Sequence, residues 1–192
     1  MKLFLLTIFL FGLFYESPAI DTPDYIRNIL DERDQQIKEL LGPRGQSYTE
    51  EQREHLKAII NDIVDYPAMA RVALADHYDN ITEEQRAEFV DLFARVIRQH
   101  SLGQLDIYRA EVSYEDIEVS DNEAHVVTIA VLDNVRTPVQ YRMHKVDGSW
   151  LIADMSVDNV WTAESYRRSF QNIIRRRGFD ALLDSLRRRV ES

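Results

Sequence analysis

Residues 149–170, SWLIADMSVDNVWTAESYRRSF, decide the fold, because they join the last long strand of the chain to a helix. The segment follows the turn Asp147-Gly148, a strong hairpin signal. It alternates like a strand through Asp154 and becomes helical at Thr162, which we expect to cap the helix. Sheet and helices must therefore meet here, and we name residues 149–170 the seam.

Strands precede the seam. From Val112 onward the hydrophobic period is two, and a second turn signal lies at Asp121-Asn122. Two inward faces are predicted from the alternation, and their members are Val127, Ile129, Val131 and Val139, Tyr141, Met143. The pattern is typical of an antiparallel meander of four strands or more.

Helices flank the strands on both sides. Capping boxes start helices at Thr49 and Thr82, and X-Pro starts lie at Thr22-Pro23 and Tyr66-Pro67. After the seam, two basic amphipathic helices follow, separated by Gly178. Helices in one run and strands in another predict an α+β fold, with about six helices packed on one face of the sheet and an apolar pocket enclosed between them.

The charge is unevenly distributed along the chain. Net charge is −10 over 192 residues. Residues 162–192 hold eight arginines against four acidic residues, a net charge of +4, whereas residues 20–161 hold 14 basic and 28 acidic residues, a net charge of −14. The acidic body argues against a nucleic-acid partner. The basic residues at the C-terminal end either form solvated helix faces or contact an acidic partner or lipid headgroups.

The N-terminus has the pattern of an export signal. Lys2 precedes thirteen uncharged residues, LFLLTIFLFGLFY, and small residues lie at Ser17 and Ala19. We expect cleavage after Ala19, a signal peptide over 1–19 and a single domain over 20–192.

Catalytic and metal-binding patterns are not evident. The chain has no cysteine, and its five histidines show no metal-ligand spacing. No catalytic residue, metal or cofactor is expected. Asp154 alone stands among apolar strand residues, where it either accepts backbone hydrogen bonds at the seam or, with His125 or Tyr141 nearby, acts as a base.

An ordered set of segments resembles one family. YPAMARVALADHY, TEEQRAEFVDLFARVI, a Trp-x-x-x-Asp strand, YRRSF and GFDALLDSL together resemble the MlaC-like, toluene-tolerance family of periplasmic lipid-binding proteins over residues 25–188. The chain departs from the family pattern at three seam residues, Ala153, Asn159 and Trp161, and at Ser101. These departures bear on ligand identity more than on the fold.

The resemblance implies a soluble periplasmic carrier with a deep pocket for phospholipid tails, an auxiliary component of an ABC transporter that maintains outer-membrane lipid asymmetry. It also implies shuttling between an outer-membrane lipoprotein complex and an inner-membrane ABC transporter with an MCE-domain protein. Periodicity predicts the lining as Met69, Val72, Phe89, Phe93, Val96, Val127, Ile129, Tyr141, Met143, Ile152, Trp161, Tyr166, Phe170 and Ile174.

Three other hypotheses remain open at the level of sequence. The ligand is a polycyclic lipid such as a hopanoid; or the chain is a cone-shaped enzyme with Asp154 as base; or it is an interaction module that docks through basic helices 162–190. A polar residue aimed into a cavity would favour the enzyme, and a solidly packed core would favour the interaction module.

Overall fold

The computed structural model describes residues 21–45, 47–103 and 105–191, with side chains for all of these except 100–103. The predicted signal peptide lies outside the described residues, and the side chain of Ser101 is among those not described. Helices are α1 Pro23–Leu41, α2 Glu50–Asp62, α3 Tyr66–Leu74, α4 Glu83–Gly103, α5 Thr162–Arg177 and α6 Phe179–Glu191. Strands are β1 Glu111–Ser120, β2 Glu123–Leu132, β3 Val135–Val146, β4 Ser149–Val157 and β5 Val160–Trp161. Short 3₁₀ turns cover Ala75–His77 and Leu105–Arg109.

The helices begin where the capping residues predict. Thr22 Oγ1 accepts the amide of Tyr25 at 3.2 Å, and Thr49 forms the full capping box with Gln52. Asp65 caps α3 through the amide of Ala68 at 2.9 Å. Local side-chain bonds to otherwise unpaired amides therefore set these boundaries.

The sheet is an antiparallel meander in the order β1-β2-β3-β4-β5, which confirms the predicted α+β class. Turns at Asp133-Asn134 and Asp158-Asn159 hold positive φ angles of 50° and 66°, and of 50° and 61°. Asp and Asn tolerate this left-handed conformation better than most residues. The second turn adds the two-residue strand β5 between β4 and α5.

The start of α5 differs from the prediction that Thr162 caps it. The N-cap position is Trp161, which supplies no side-chain hydrogen bond. The buried amide of Ala163 instead donates to Asp154 Oδ1 at 3.1 Å. The carboxylate of Asp154 in β4 thus caps α5, although β5 lies between them in the sequence.

The fold has two parts, which we name the bundle and the sheet region. The bundle consists of α3, α4, α5 and α6, each packed on two of the others. The sheet region consists of the five strands with α1 and α2. Residues 63–65 link the two parts, because the amide of Asp65 donates to Ile152 O at 2.9 Å and the amide of Ile152 donates to Ile63 O at 2.7 Å.

Helix α1 covers one face of the sheet, which we name the α1 face. Ile26 is fully buried in a cluster with Val126 and Met143, and Tyr114 Oη donates to Asp31 at 2.8 Å. Residues directly opposed in an antiparallel pair share a face. The other side of the sheet we name the outer face. Within the described residues, no helix is both long enough and apolar enough to cross a membrane.

Candidate functional site

Eight of the predicted lining residues lie in the bundle and form its core with one another. They are Met69, Val72, Phe89, Phe93, Val96, Tyr166, Phe170 and Ile174. Their aromatic rings are in direct contact. Phe93 stacks on Phe89 at 5.6 Å and meets Tyr166 and Phe170 edge-on at 5.2 and 5.6 Å.

The sheet divides the remaining residues between its two faces. Tyr141, Met143 and Ile152 lie on the α1 face. Val127 and Ile129 pair with Gln140 and Pro138, whereas Val126 pairs with Tyr141. Val127 and Ile129 therefore lie on the outer face, on the other side of the sheet from Tyr141 and Met143.

Trp161 lies over the outer face. The guanidinium of Arg142 stacks on its indole with 3.8 Å from Cζ to the ring centroid, and the ring of His125 is 6.4 Å away. Trp161 is thus partnered by a cation at the surface of the sheet. The structure does not bring the fourteen predicted residues into one lining.

Tyr141 is the predicted residue with the most informative surroundings. Burial, with smaller contributions from Tyr108 and Asp34, raises the pKa of Tyr141 to about 12. The side chain nevertheless keeps accessible surface, as does Met155, its direct partner on β4. On the face that α1 covers, Tyr141 and Met155 are therefore packed less completely than Val126 and Met143.

Tyr114 lies beside Tyr141 on the α1 face. Burial, together with the hydrogen bond to Asp31, raises the pKa of Tyr114 well above its usual range. Both phenols are therefore neutral at physiological pH. They present a mostly apolar surface with a few hydroxyl groups between the sheet and α1.

The apolar interior is divided into three clusters rather than one. One fills the bundle, a second lies between α1 and the sheet, and a third joins the end of α1 to α2. Most domains of this size have one contiguous core. Partly buried side chains, among them Tyr108, Ile59 and Val64, lie at the edges of these clusters.

Two clefts lie among the helices. One, of about 350 Å³, separates α5 from α6 and is lined by Ser165, Tyr166, Ser169, Phe170, Ile173, Leu182, Ser185, Leu186 and Arg189. The other, of about 500 Å³, is lined by Arg33, Ala58, Ile59, Asn61, Asp62, Val64, Tyr66 and Arg98. In the second cleft, Arg33 bonds Asp62 at 2.9 Å and Arg98 stacks on Tyr66 at 4.6 Å. No strand residue lines either cleft.

The α5–α6 cleft was not found from periodicity. Serines at 165 and 169, four residues apart on α5, face Ser185 of α6 across the cleft. The sequence signal for this cleft was the spacing of Ser165 and Ser169 on one predicted helix, with Ser185 on the next. Of the fourteen predicted residues, Tyr166 and Phe170 line this cleft.

Asp154 acts as a structural acceptor. It is 2% exposed, and its Oδ1 accepts the amides of Met155 at 2.9 Å and Ala163 at 3.1 Å. This confirms the interpretation that it receives backbone hydrogen bonds at the seam. Burial raises the pKa of Asp154, and the two amides and Arg142 oppose that effect.

Of the two partners that the enzyme hypothesis offers Asp154, His125 lies on the same face of the sheet and Tyr141 on the opposite face. Asp154 pairs with Arg142 on the outer face, so Tyr141, the neighbour of Arg142 in β3, lies on the other side of the sheet. His125 Nε2 lies 3.1 Å from Gln140 Oε1. In the described part of the chain, no group of three His, Asp or Glu residues is placed to hold a metal ion.

A family model described as MlaC protein matches residues 31–188. Among solved structures, one described as the phospholipid-binding protein from Ralstonia solanacearum in complex with a phospholipid has the same fold. Its TM-score to this chain is 0.72 at 19% sequence identity, over 90% of this chain and 98% of that one. Among curated proteins, none matches the chain.

Proposed function

The chain belongs to the MlaC family, and from that premise we propose that it binds phospholipid and buries the acyl tails in its apolar interior. The solved Ralstonia solanacearum protein of the same fold is described as phospholipid-binding and carries a phospholipid. Family and fold together favour a binding or transport protein over an enzyme.

One observation carries the proposal in this chain, and it is the state of Tyr141. Tyr141, its partner Met155 and Tyr114 keep accessible surface on the sheet face that α1 covers, and this incomplete packing supports a space for acyl tails there. Burying a dozen CH₂ groups is worth about 10 kcal/mol at ~0.8 kcal/mol each. A space with apolar walls gains this energy without any catalytic group.

We propose further that the protein is a periplasmic carrier. In this proposal the segment 1–19 directs export, and the folded domain moves phospholipid between an outer-membrane lipoprotein complex and an inner-membrane ABC transporter with an MCE-domain protein. The export pattern of the N-terminus and the family membership support it. The direction of transport is part of what an experiment must measure.

Native mass spectrometry of the protein purified from the cells that produce it tests lipid binding directly. We expect the folded protein to carry a phospholipid mass that is released on denaturation. A lipid-free protein under gentle ionisation contradicts the proposal. A polycyclic lipid mass would instead select the hopanoid alternative.

A matched pair of substitutions tests the location. Met155→Trp adds volume on the α1 face opposite Tyr141, and Val127→Trp adds the same ring on the outer face. We expect Met155→Trp to reduce the fraction of lipid-bound protein at least several-fold and Val127→Trp to leave it unchanged. Equal loss in both variants would place the tails elsewhere.

A further inference from the structure

The outward side of the α5–α6 pair carries a concentration of arginines that we name the arginine face. Its members are Arg168, Arg175, Arg176, Arg188 and Arg189, and all five are exposed. Arg187, next in sequence, pairs with Glu88 at 2.5 Å and with Asp184 at 2.6 Å. In the part of the chain that the structure describes, no such carboxylate pairs with Arg168, Arg175, Arg176 or Arg188.

The arginine face is the basic side of an acidic protein. Residues 162–192 have a net charge of +4, whereas residues 20–161 have a net charge of −14. An anionic surface therefore attracts one side of the molecule and repels the rest, which fixes the orientation of approach. A long nucleic acid would meet both fields, which makes it the poorer partner.

The α5–α6 cleft, whose lining combines apolar side chains with three serines and Arg189, opens on the same side. Arg176 lies seven residues beyond Ser169, two turns along the same side of α5, and Arg189 lies one turn beyond Ser185 on α6. Arg189 also lies over the ring of Tyr166 at 5.7 Å. Arginines thus border a cleft whose floor is built from Phe170, Leu182 and Leu186.

We propose that the arginine face docks the protein on an anionic lipid surface, with the α5–α6 cleft turned toward the bilayer. In a leaflet, charged phosphate groups lie next to apolar acyl chains. The arginines beside the apolar floor of the cleft match this arrangement in both charge and apolar surface. An acidic protein would match the arginines but not the apolar floor of the cleft, which Phe170, Leu182 and Leu186 form. The inference extends the proposed lipid binding to the surface where lipid is exchanged, and it rests on that proposal only for the role of the cleft.

Vesicle co-sedimentation tests the docking. The probes are pure phosphatidylcholine vesicles and vesicles with equal parts of phosphatidylcholine and phosphatidylglycerol, at low and high salt. We expect binding to the anionic vesicles at low salt that is lost at high salt, because surface charges are screened. Equal binding to both kinds of vesicle overturns the proposal.

Two triple variants with the same net charge sharpen the test. Arg175→Gln, Arg176→Gln and Arg188→Gln together should weaken partition onto anionic vesicles roughly a hundredfold. The control replaces Arg53, Arg95 and Arg136, which are exposed elsewhere, and should weaken it little. The N-terminal residues are common to all three proteins, so their contribution cancels. Equal losses in the two variants overturn the proposal.

Two further readouts separate this inference from its rivals. Binding of the wild-type protein to polyglutamate but not to anionic vesicles would assign the arginine face to an acidic protein and overturn the proposal. Co-purified lipid, measured by native mass spectrometry, should be the same in both triple variants. Loss of vesicle binding with lipid retained supports docking, whereas a lipid-free wild-type protein contradicts the proposed function and leaves the vesicle result to stand by itself.

Discussion

In the bundle, Phe89 and Phe93 have no exposed surface, whereas on the α1 face of the sheet Tyr141 and Met155 keep part of theirs. The bundle fills its interior with rings in direct contact. Beneath α1, Val126 and Met143 are buried as well, but Tyr114, Tyr141 and Met155 stay partly accessible. We therefore expect the bundle to contribute most to stability, and the proposed lipid tails to lie in the sheet region.

The largest expected effect that tests this division is in the bundle. Phe93→Ala removes a ring that contacts Phe89, Tyr166 and Phe170, and it should lower the free energy of unfolding by about 3–5 kcal/mol. Urea denaturation measures the loss. The lipid content of the protein that remains folded should not change.

Tyr141→Ala is the counterpart in the sheet region. Because Tyr141 is only partly buried, its removal should destabilise the fold less than Phe93→Ala and should alter the bound lipid. The division fails if Phe93→Ala empties the protein of lipid while Tyr141→Ala has no effect on it.

The element boundaries could be predicted because they depend on local chemistry. The side-chain oxygens of Thr22 and Thr49 accept hydrogen bonds from amides three residues away, and Asp147 and Gly148 both have positive φ angles. Each of these signals lies within a few residues of the helix or strand boundary that it sets. The sequence-based expectation of four or more strands and about six helices therefore agrees with the structure.

The inward face of β2 could not be predicted from the sequence. The run HVVTIAV is apolar at both parities, so alternation does not distinguish Val126 from Val127. In β4, Ala153 has no partner on β3, because Met143 pairs with Ile152 and Arg142 pairs with Asp154. This bulge turns Ile152 and Asp154 to opposite faces although they are two residues apart.

A medium effect is expected where the two parts of the molecule join. Asp154→Ala removes the acceptor of the Ala163 amide at the start of α5 and should cost about 1–2 kcal/mol. Asp154→Asn keeps an oxygen acceptor and removes a buried charge, so it should be at least as stable as the wild type at neutral pH. Thermal denaturation of both variants measures the difference.

The pH dependence of Asp154→Asn follows from the raised pKa of Asp154. Because the folded state holds this proton more tightly, its contribution to stability is present below the ordinary aspartate pKa of about 3.9 and is lost as pH rises through the raised value. The stability of Asp154→Asn relative to wild type should therefore increase over that interval. A difference independent of pH would show that burial does not raise this pKa.

The smallest effect is expected on the outer face, at Trp161. Trp161→Ser removes the stack with Arg142 and should cost about 1 kcal/mol. A double-mutant cycle with Arg142→Gln should assign most of that cost to the pair. The mass profile of bound lipid should stay that of the wild type, since the indole lies on the side of the sheet away from Tyr141 and Met155. If the profile shifts, the outer face takes part in ligand selection, and the departure of this chain from its family at the seam then concerns the ligand as well as the fold.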